Sequence, residues 1–192
     1  KLYSKNVDVD MINSIELNKL VKNNKKYKCD FSYKNNTNYD IMKKINNLNF
    51  VRTLELCVGC QVMLLVNLDI NMGLVNGSRG IVTKFINGIP VVKFLNGEEI
   101  LVDTYKWEIT DNDESIGSVN QIPLRLGYAL TIHKSQGSTL DLVQVNLSDV
   151  FEYGMAYVAL SRIRSLSGLI IESIDYDKIK CNPKVKEFYL HK

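Results

Sequence analysis

The chain has 192 residues, 45% hydrophobic and 23% charged, with a formal net charge of +3. That length suffices for one domain or two small ones with a sizeable core, and the charge is too small by itself to announce nucleic-acid binding. No apolar run approaches the roughly 20 residues that span a bilayer, which argues against a membrane protein.

The opening KLYSKNVDVD lacks both a signal-peptide apolar region and an initiator Met, and predicts a fragment or a processed product. It reads as a short strand followed by a helix through Val7, Met11, Ile12, Ile15, Leu17 and Leu20, with Asp8 or Asp10 as candidate cap. Basic residues gather in KLVKNNKKYK (19–28). The Asn-rich stretch around them predicts a mobile connection, and YDIMKKINNL a short helical turn. The abundance of Asn, Lys and Ile is explained more simply by A+T-rich codons than by function.

From residue 54 the character changes. LELCVGCQVMLLVNL, RGIVTKFI, IPVVKFL and EEILVDTYKWEI are rich in β-branched and aromatic residues. The pairs Asn76-Gly77, Asn87-Gly88 and Asn96-Gly97 suit two-residue type I′ turns. A small antiparallel barrel of SH3-like size is expected over 54–112. The acidic ITDNDE predicts a loop. Beyond it LRLGYALTI reads as one buried strand, STLDLVQVNL as another, EYGMAYVALSRIRSL as a helix, GLIIESI as a strand and NPKVKEFYLH as a terminal helix begun by Pro183. Strands alternating with helices predict a parallel α/β sheet. The expected architecture is therefore α/β, a domain split into 1–53 and 113–192 by the inserted barrel.

Cys29, Cys57, Cys60 and Cys181 are unevenly spaced. CVGC offers half of a zinc site, but no second paired cluster completes it, so no metal is expected. Ordinary thiols point to a reducing intracellular compartment, whether nucleus, mitochondrion or cytoplasm, with a viral source left open.

Two clusters carry chemistry. In YALTIHKSQGSTLD (128–141) an apolar strand breaks into His133-Lys134-Ser135-Gln136-Gly137. Ligands of open α/β sheets gather where strands end, and Gly137 admits close backbone approach. A polar corner that merely caps the strand fits the same residues. In AYVALSRIRSLSGL (156–169), Arg162 and Arg164 interrupt an apolar face. Either an anion meets them or their stems snorkel to water.

Together and in this order, the two clusters resemble the last two motifs of the Pif-one family of DNA helicases, in the B branch of superfamily one with RecD-like enzymes. LYSKNVDVDMIN resembles the family's segment opening the second motor lobe, LELCVGCQVMLLVNLDINMGLVNGSRGIV the start of its inserted barrel, and NPKVKEFY its ending. Residues 25–53 and 100–118 are unmatched. The resemblance implies a second RecA-like lobe carrying an SH3-like barrel. It implies ATP with Mg²⁺ in a cleft shared with a first RecA-like lobe, single-stranded DNA as partner and 5′ to 3′ translocation. By position, Arg162 matches the arginine that contacts the γ-phosphate, and Gln136 and Gly137 face the nucleotide. His133, Lys134 and Ser135 lie nearer the single strand, and Ser4, Lys5 and Asn6 match a segment touching the DNA backbone. Arg164 falls where the family varies. The Cys57–Cys60 pair departs from the family's usual residues, and Gly127 stands where Ala is more usual.

No Gly-x-x-x-x-Gly-Lys-Ser/Thr loop occurs in the chain, nor does an apolar strand lead into an acidic pair that holds Mg²⁺. The chain alone is therefore expected to bind no nucleotide, to hydrolyse ATP at no useful rate, and to be monomeric. The rival expectation is a non-catalytic module that binds single-stranded nucleic acid or a protein.

Overall fold

Four parallel strands, in the spatial order Leu130–Thr131, Leu2–Tyr3, Val143–Leu147 and Leu169–Ile174, form the sheet on which the C-terminal third of the chain is built. The structure is a computed structural model that describes residues 1–20, 25–33, 44–45, 48–111, 114–137 and 139–190. These residues fall into two compact units, Lys1–Glu16 with Tyr128–Lys192, and Leu17–Gly127.

In the first unit β1 (Leu2–Tyr3) lies between β12 (Leu130–Thr131) and β13 (Val143–Leu147), and β14 (Leu169–Ile174) closes the far edge. Leu2, Val143, Val145, Leu147, Ala129 and Ile132 are buried, each large aliphatic side chain contributing about 1.5–3 kcal/mol on leaving water. Three helices accompany the sheet: α1 (Asn6–Lys19), α2 (Met155–Leu160) and α3 (Pro183–Leu190).

Helix α1 buries a different face from the one its apolar residues suggest. Val7, Met11 and Ile15 are exposed, while Val9, Asn13 and Leu17, also four apart, are buried. The polar residue at the centre of that stripe explains the inversion. Asn13 Nδ2 donates to the Ala129 carbonyl at 3.2 Å, and Asn13 Oδ1 accepts from the Ala129 N–H at 3.0 Å. One side chain thus satisfies both polar groups of a buried residue beside β12. Asp8 sits inside the first turn and Asp10 beyond it, so neither is the cap.

The second unit is antiparallel. It contains a five-stranded sheet ordered β11-β5-β6-β7-β8, a three-stranded sheet β3-β10-β9 and the pair β2-β4. The strands are β2 (Lys25–Lys28), β3 (Asp30–Tyr33), β4 (Thr53–Leu56), β5 (Gln61–Leu64), β6 (Arg79–Ile86), β7 (Ile89–Phe94), β8 (Glu99–Leu101), β9 (Tyr105–Asp111), β10 (Glu114–Gln121) and β11 (Leu124–Leu126). The chain is thus mixed α/β, one parallel sheet with antiparallel sheets.

Several local expectations change. Residues 25–33, expected as a connection, are strands: Lys25–Lys28 pairs with β4 and Asp30–Tyr33 with β10. Their partners are distant in sequence, which local periodicity does not reveal. Most of YDIMKKINNL lies outside the described residues. ITDNDE is mostly ladder, since β9 runs through Asp111 and β10 starts at Glu114. LRLGYALTI is two strands, because the chain leaves β11 at Leu126 and joins the parallel sheet only at Leu130. At the break, a Cβ on Gly127 would lie 3.2 Å from the Val62 carbonyl carbon, a close approach that glycine avoids.

Of the Asn-Gly pairs, Asn87-Gly88 alone has both residues at positive φ, 50° and 85°, and it joins β6 to β7 with Ile86 opposite Ile89. The Tyr27 hydroxyl donates to the Gly88 carbonyl at 2.6 Å, and burial pushes its pKa up to about 12. Asn96 instead turns its side chain onto the Glu98 N–H at 3.1 Å. Cys57 and Cys60 are buried free thiols, and burial pushes Cys60 up to about 12, which keeps it protonated and poorly nucleophilic.

Candidate functional site

The parallel pairing of β1 and β12 sets Leu2 beside Leu130 and Tyr3 beside Thr131. Two strands running the same way in register deliver their outgoing segments to the same edge of the sheet. The Ile132 N–H donates to the Tyr3 carbonyl at 2.9 Å and holds the two exits together. Ser4-Lys5-Asn6 leaves one strand and His133-Lys134 the other, and both segments line a single concavity of about 500 Å³. Val7, Thr131 and Phe151 complete its lining.

Lys5, Asn6, His133 and Lys134 are exposed in its lining, whereas Ser4 and Thr131 are buried. His133 Nε2 lies 2.9 Å from Glu152 Oε2, and the His133 and Phe151 ring centroids are 6.2 Å apart. Lys5 Nζ lies 3.7 Å from Asp149 Oδ1, with both side chains about half exposed. The Lys134 N–H donates to Thr131 Oγ1 at 3.3 Å, and the residue lies on the exposed surface. Ser135 is different. It is fully buried, and its hydroxyl donates to the Ile132 carbonyl at 2.7 Å, so it closes the 3-10 turn His133–Ser135 and does not line the concavity.

After that turn Gln136 and Gly137 are both exposed. Gly137 has φ +84°, a conformation that favours glycine. Ser138 lies outside the described residues. The chain then returns as an extended segment: the Leu140 N–H donates to the Arg162 carbonyl at 2.8 Å and the Arg164 N–H to the Leu140 carbonyl at 3.1 Å. A Cβ on Gly168 would sit 1.8 Å from the Asp141 carbonyl oxygen, so this packing tolerates no side chain. The segment around Leu140 and the Arg162 segment are thereby joined through backbone.

The expected long helix ends early, at Leu160, and Arg162 and Arg164 fall beyond it. Arg162 is half-buried, with Nε donating to the Val158 carbonyl at 3.0 Å and Nη2 to Ser161 Oγ at 2.9 Å. Arg164 is exposed and pairs with Asp141 at 3.0 Å. Sequence reading missed Phe151, Glu152, Asp149, Asn13 and Gly168. Phe151 and Glu152 carry the one available signal, an aromatic-acid pair immediately before the helix. The other three matter only through contacts with distant residues. Among the described residues, no cluster of three or more His, Cys, Asp or Glu side chains is placed to hold a metal ion.

Comparison with known proteins decides the family. Residues 42–85 match the model of the DNA helicase Pif1, 2B domain. The ATP-dependent DNA helicase PIF1 of Xenopus laevis is 47% identical over 139 residues, which cover 71% of this chain and 22% of that protein. The crystal structure of Pif1 helicase from Candida albicans superposes with a TM-score of 0.87 at 33% identity, covering 99% of this chain and 48% of that one. The chain belongs to the Pif1 helicase family. A further Pif1 structure, from Bacteroides in complex with ADP-AlF3 and ssDNA, superposes with a TM-score of 0.74 at 33% identity, covering 99% of this chain and 44% of that chain. This chain therefore spans less than half the length of these Pif1 relatives.

Proposed function

We propose that this chain is the second motor lobe, with its inserted barrel, of a longer ATP-dependent DNA helicase that moves 5′ to 3′ on single-stranded DNA. The observation that carries this reading is the shared concavity at the ends of β1 and β12. It gathers Ser4, Lys5, Asn6, His133 and Lys134 from opposite ends of the sequence. Lysines and amide-bearing side chains there suit phosphates, and the Phe151 ring is 61% exposed, which suits stacking on a base. The ssDNA in the Bacteroides Pif1 structure supports the same ligand class. Ser135 serves this site from below by shaping the turn.

Arg162 is the arginine finger in this reading. Nε and Nη2 are held by its own helix and Ser161, which fixes the fork and leaves Nη1 for a phosphoryl oxygen. A guanidinium there neutralises charge that develops in phosphoryl transfer. ATP and Mg²⁺ would be held mainly by the first lobe, since no phosphate-cradling loop occurs in this chain; Gln136 and Gly137 would face the nucleotide from this side. The backbone pairing of Leu140 with Arg162 joins the loop to the finger, so closure of a nucleotide cleft moves His133 and Lys134 with it. The barrel assignment rests on the five-stranded antiparallel sheet, most of whose strands lie within 54–112.

The test uses a polypeptide joining this chain to a phosphate-loop lobe. Arg162→Ala should lower kcat for ATP about 10³-fold or more while oligonucleotide affinity stays within about twofold. Undiminished turnover refutes the finger. Oligonucleotide binding by the unsubstituted joined polypeptide with no ATP turnover favours a binding module over a motor.

A further inference from the structure

A second concavity, of about 630 Å³, lies on the same unit. One wall is the segment leading into and through the start of α2, which contributes Tyr153 and Tyr157; the other runs from the 3-10 turn Tyr176–Lys178 into α3 and contributes Lys178, Lys180, Cys181 and Lys186. The Gly154 N–H donates to the Lys180 carbonyl at 3.2 Å and ties the walls together. Tyr153 and Tyr157 are 57% and 75% exposed. Lys178 is held by Asp149, Asp175 and the Ser148 carbonyl. Lys180 and Lys186, by contrast, form no ion pair among the described residues. The acid in the lining is Glu152, whose carboxylate is already engaged by His133 at 2.9 Å.

We propose that this concavity is a further binding site for single-stranded nucleic acid, extending the strand's path onto the C-terminal segment. The inference rests on the first concavity being a strand site, because the two are neighbours: Phe151 lines the first and Glu152, the next residue, lines the second. Exposed tyrosines beside lysines without acidic partners are the combination that grips single strands without sequence readout, bases on rings and phosphates on ammonium groups. Tyr153 and Tyr157 take bases, and Lys180 and Lys186 take phosphates.

Binding of an oligothymidylate of about 20 nucleotides, a few site sizes long, to the 192-residue chain tests this. Tyr153→Ala with Tyr157→Ala should weaken binding about tenfold or more, and the corresponding phenylalanine pair should restore it. Lys180→Ala with Lys186→Ala should lessen the slope of log affinity against log salt by about 1.4, at about 0.7 for each phosphate no longer neutralised. Cys181 is exposed whereas Cys57 and Cys60 are buried, so maleimide modification mapped to Cys181 should slow severalfold with saturating oligothymidylate. Parental affinity and slope in both double variants, with unprotected Cys181, overturn the extension. In that event Lys5→Ala still weakens binding if the first site is right, and leaves it unchanged if that reading also fails. Protection of Cys181 by polyglutamate but not by oligothymidylate overturns the proposal in favour of an acidic protein segment.

Discussion

Asn13→Ala removes the side chain that satisfies both polar backbone groups of the buried Ala129. In the parent, the amide donates to the carbonyl at 3.2 Å and accepts from the N–H at 3.0 Å. Ala129 is fully buried and Asn13 is 6% exposed, so water does not replace the missing partners. Each orphaned group costs about 1–3 kcal/mol, giving about 3 kcal/mol for the pair after partial relaxation. Against the roughly 5–15 kcal/mol of a typical domain that is a large fraction. With a urea dependence of about 2 kcal/mol per M, the midpoint for the first unit should fall by about 1.5 M. The assay is urea unfolding followed by a probe reporting that unit, such as Tyr3 fluorescence with Tyr27 and other tyrosines of the second unit replaced. Because Ala129 precedes β12, oligonucleotide binding should weaken as well. A midpoint moved by less than about 0.3 M refutes the claim that this amide holds α1 against the sheet.

Three further outcomes follow from the geometry. Gly168→Ala places a Cβ 1.8 Å from the Asp141 carbonyl oxygen, a clash only backbone movement relieves; it should cost about 1–3 kcal/mol or more in thermal unfolding and also reduce ATP turnover in the joined polypeptide. Tyr27 keeps its proton to about pH 12 in the folded chain while the unfolded chain releases it near 10. The folded state therefore binds more protons in that window, stability falls as pH rises through it, and Tyr27→Phe should lessen the fall in unfolding midpoint between about pH 10 and about 12. Lys5→Ala should weaken binding of short oligonucleotides and lessen the salt slope by about 0.7 for the phosphate left without its cation, read by fluorescence anisotropy across a salt series.

What a reader of the sequence sees depends on how local the cause is. Asn87-Gly88 announces its turn because two adjacent residues carry the whole requirement of positive φ. His133-Lys134 announces a site because a polar run after an apolar strand is visible without a partner. Strands at 25–33 stay hidden because KKYK and DFSY become ladder only through β4 and β10, far along the chain. Helix α1 misleads for a similar reason: its apolar stripe of Val7, Met11 and Ile15 is the exposed one, and a polar Asn sits where packing is tightest. The concavity itself is half legible. Its residue types can be read in place, but their convergence is a property of the β1–β12 register, and Phe151 enters it only through tertiary packing.

The position of β1 also constrains how the chain comes to be folded. This two-residue strand, at the very beginning of the sequence, is an interior member of the parallel sheet, paired with Leu130 on one side and Val145 on the other. Neither partner exists until most of the chain has been synthesised. Leu17–Gly127, a continuous stretch with its own antiparallel sheets, has every partner it needs once Leu126 is made, before β12, β13 and β14 exist. The expected order is that this middle unit forms first and the parallel sheet closes last, a slow step dominated by distant contacts. Until it closes, the segments Ser4–Asn6 and His133–Lys134 have not met, so the concavity is among the last features of the molecule to appear.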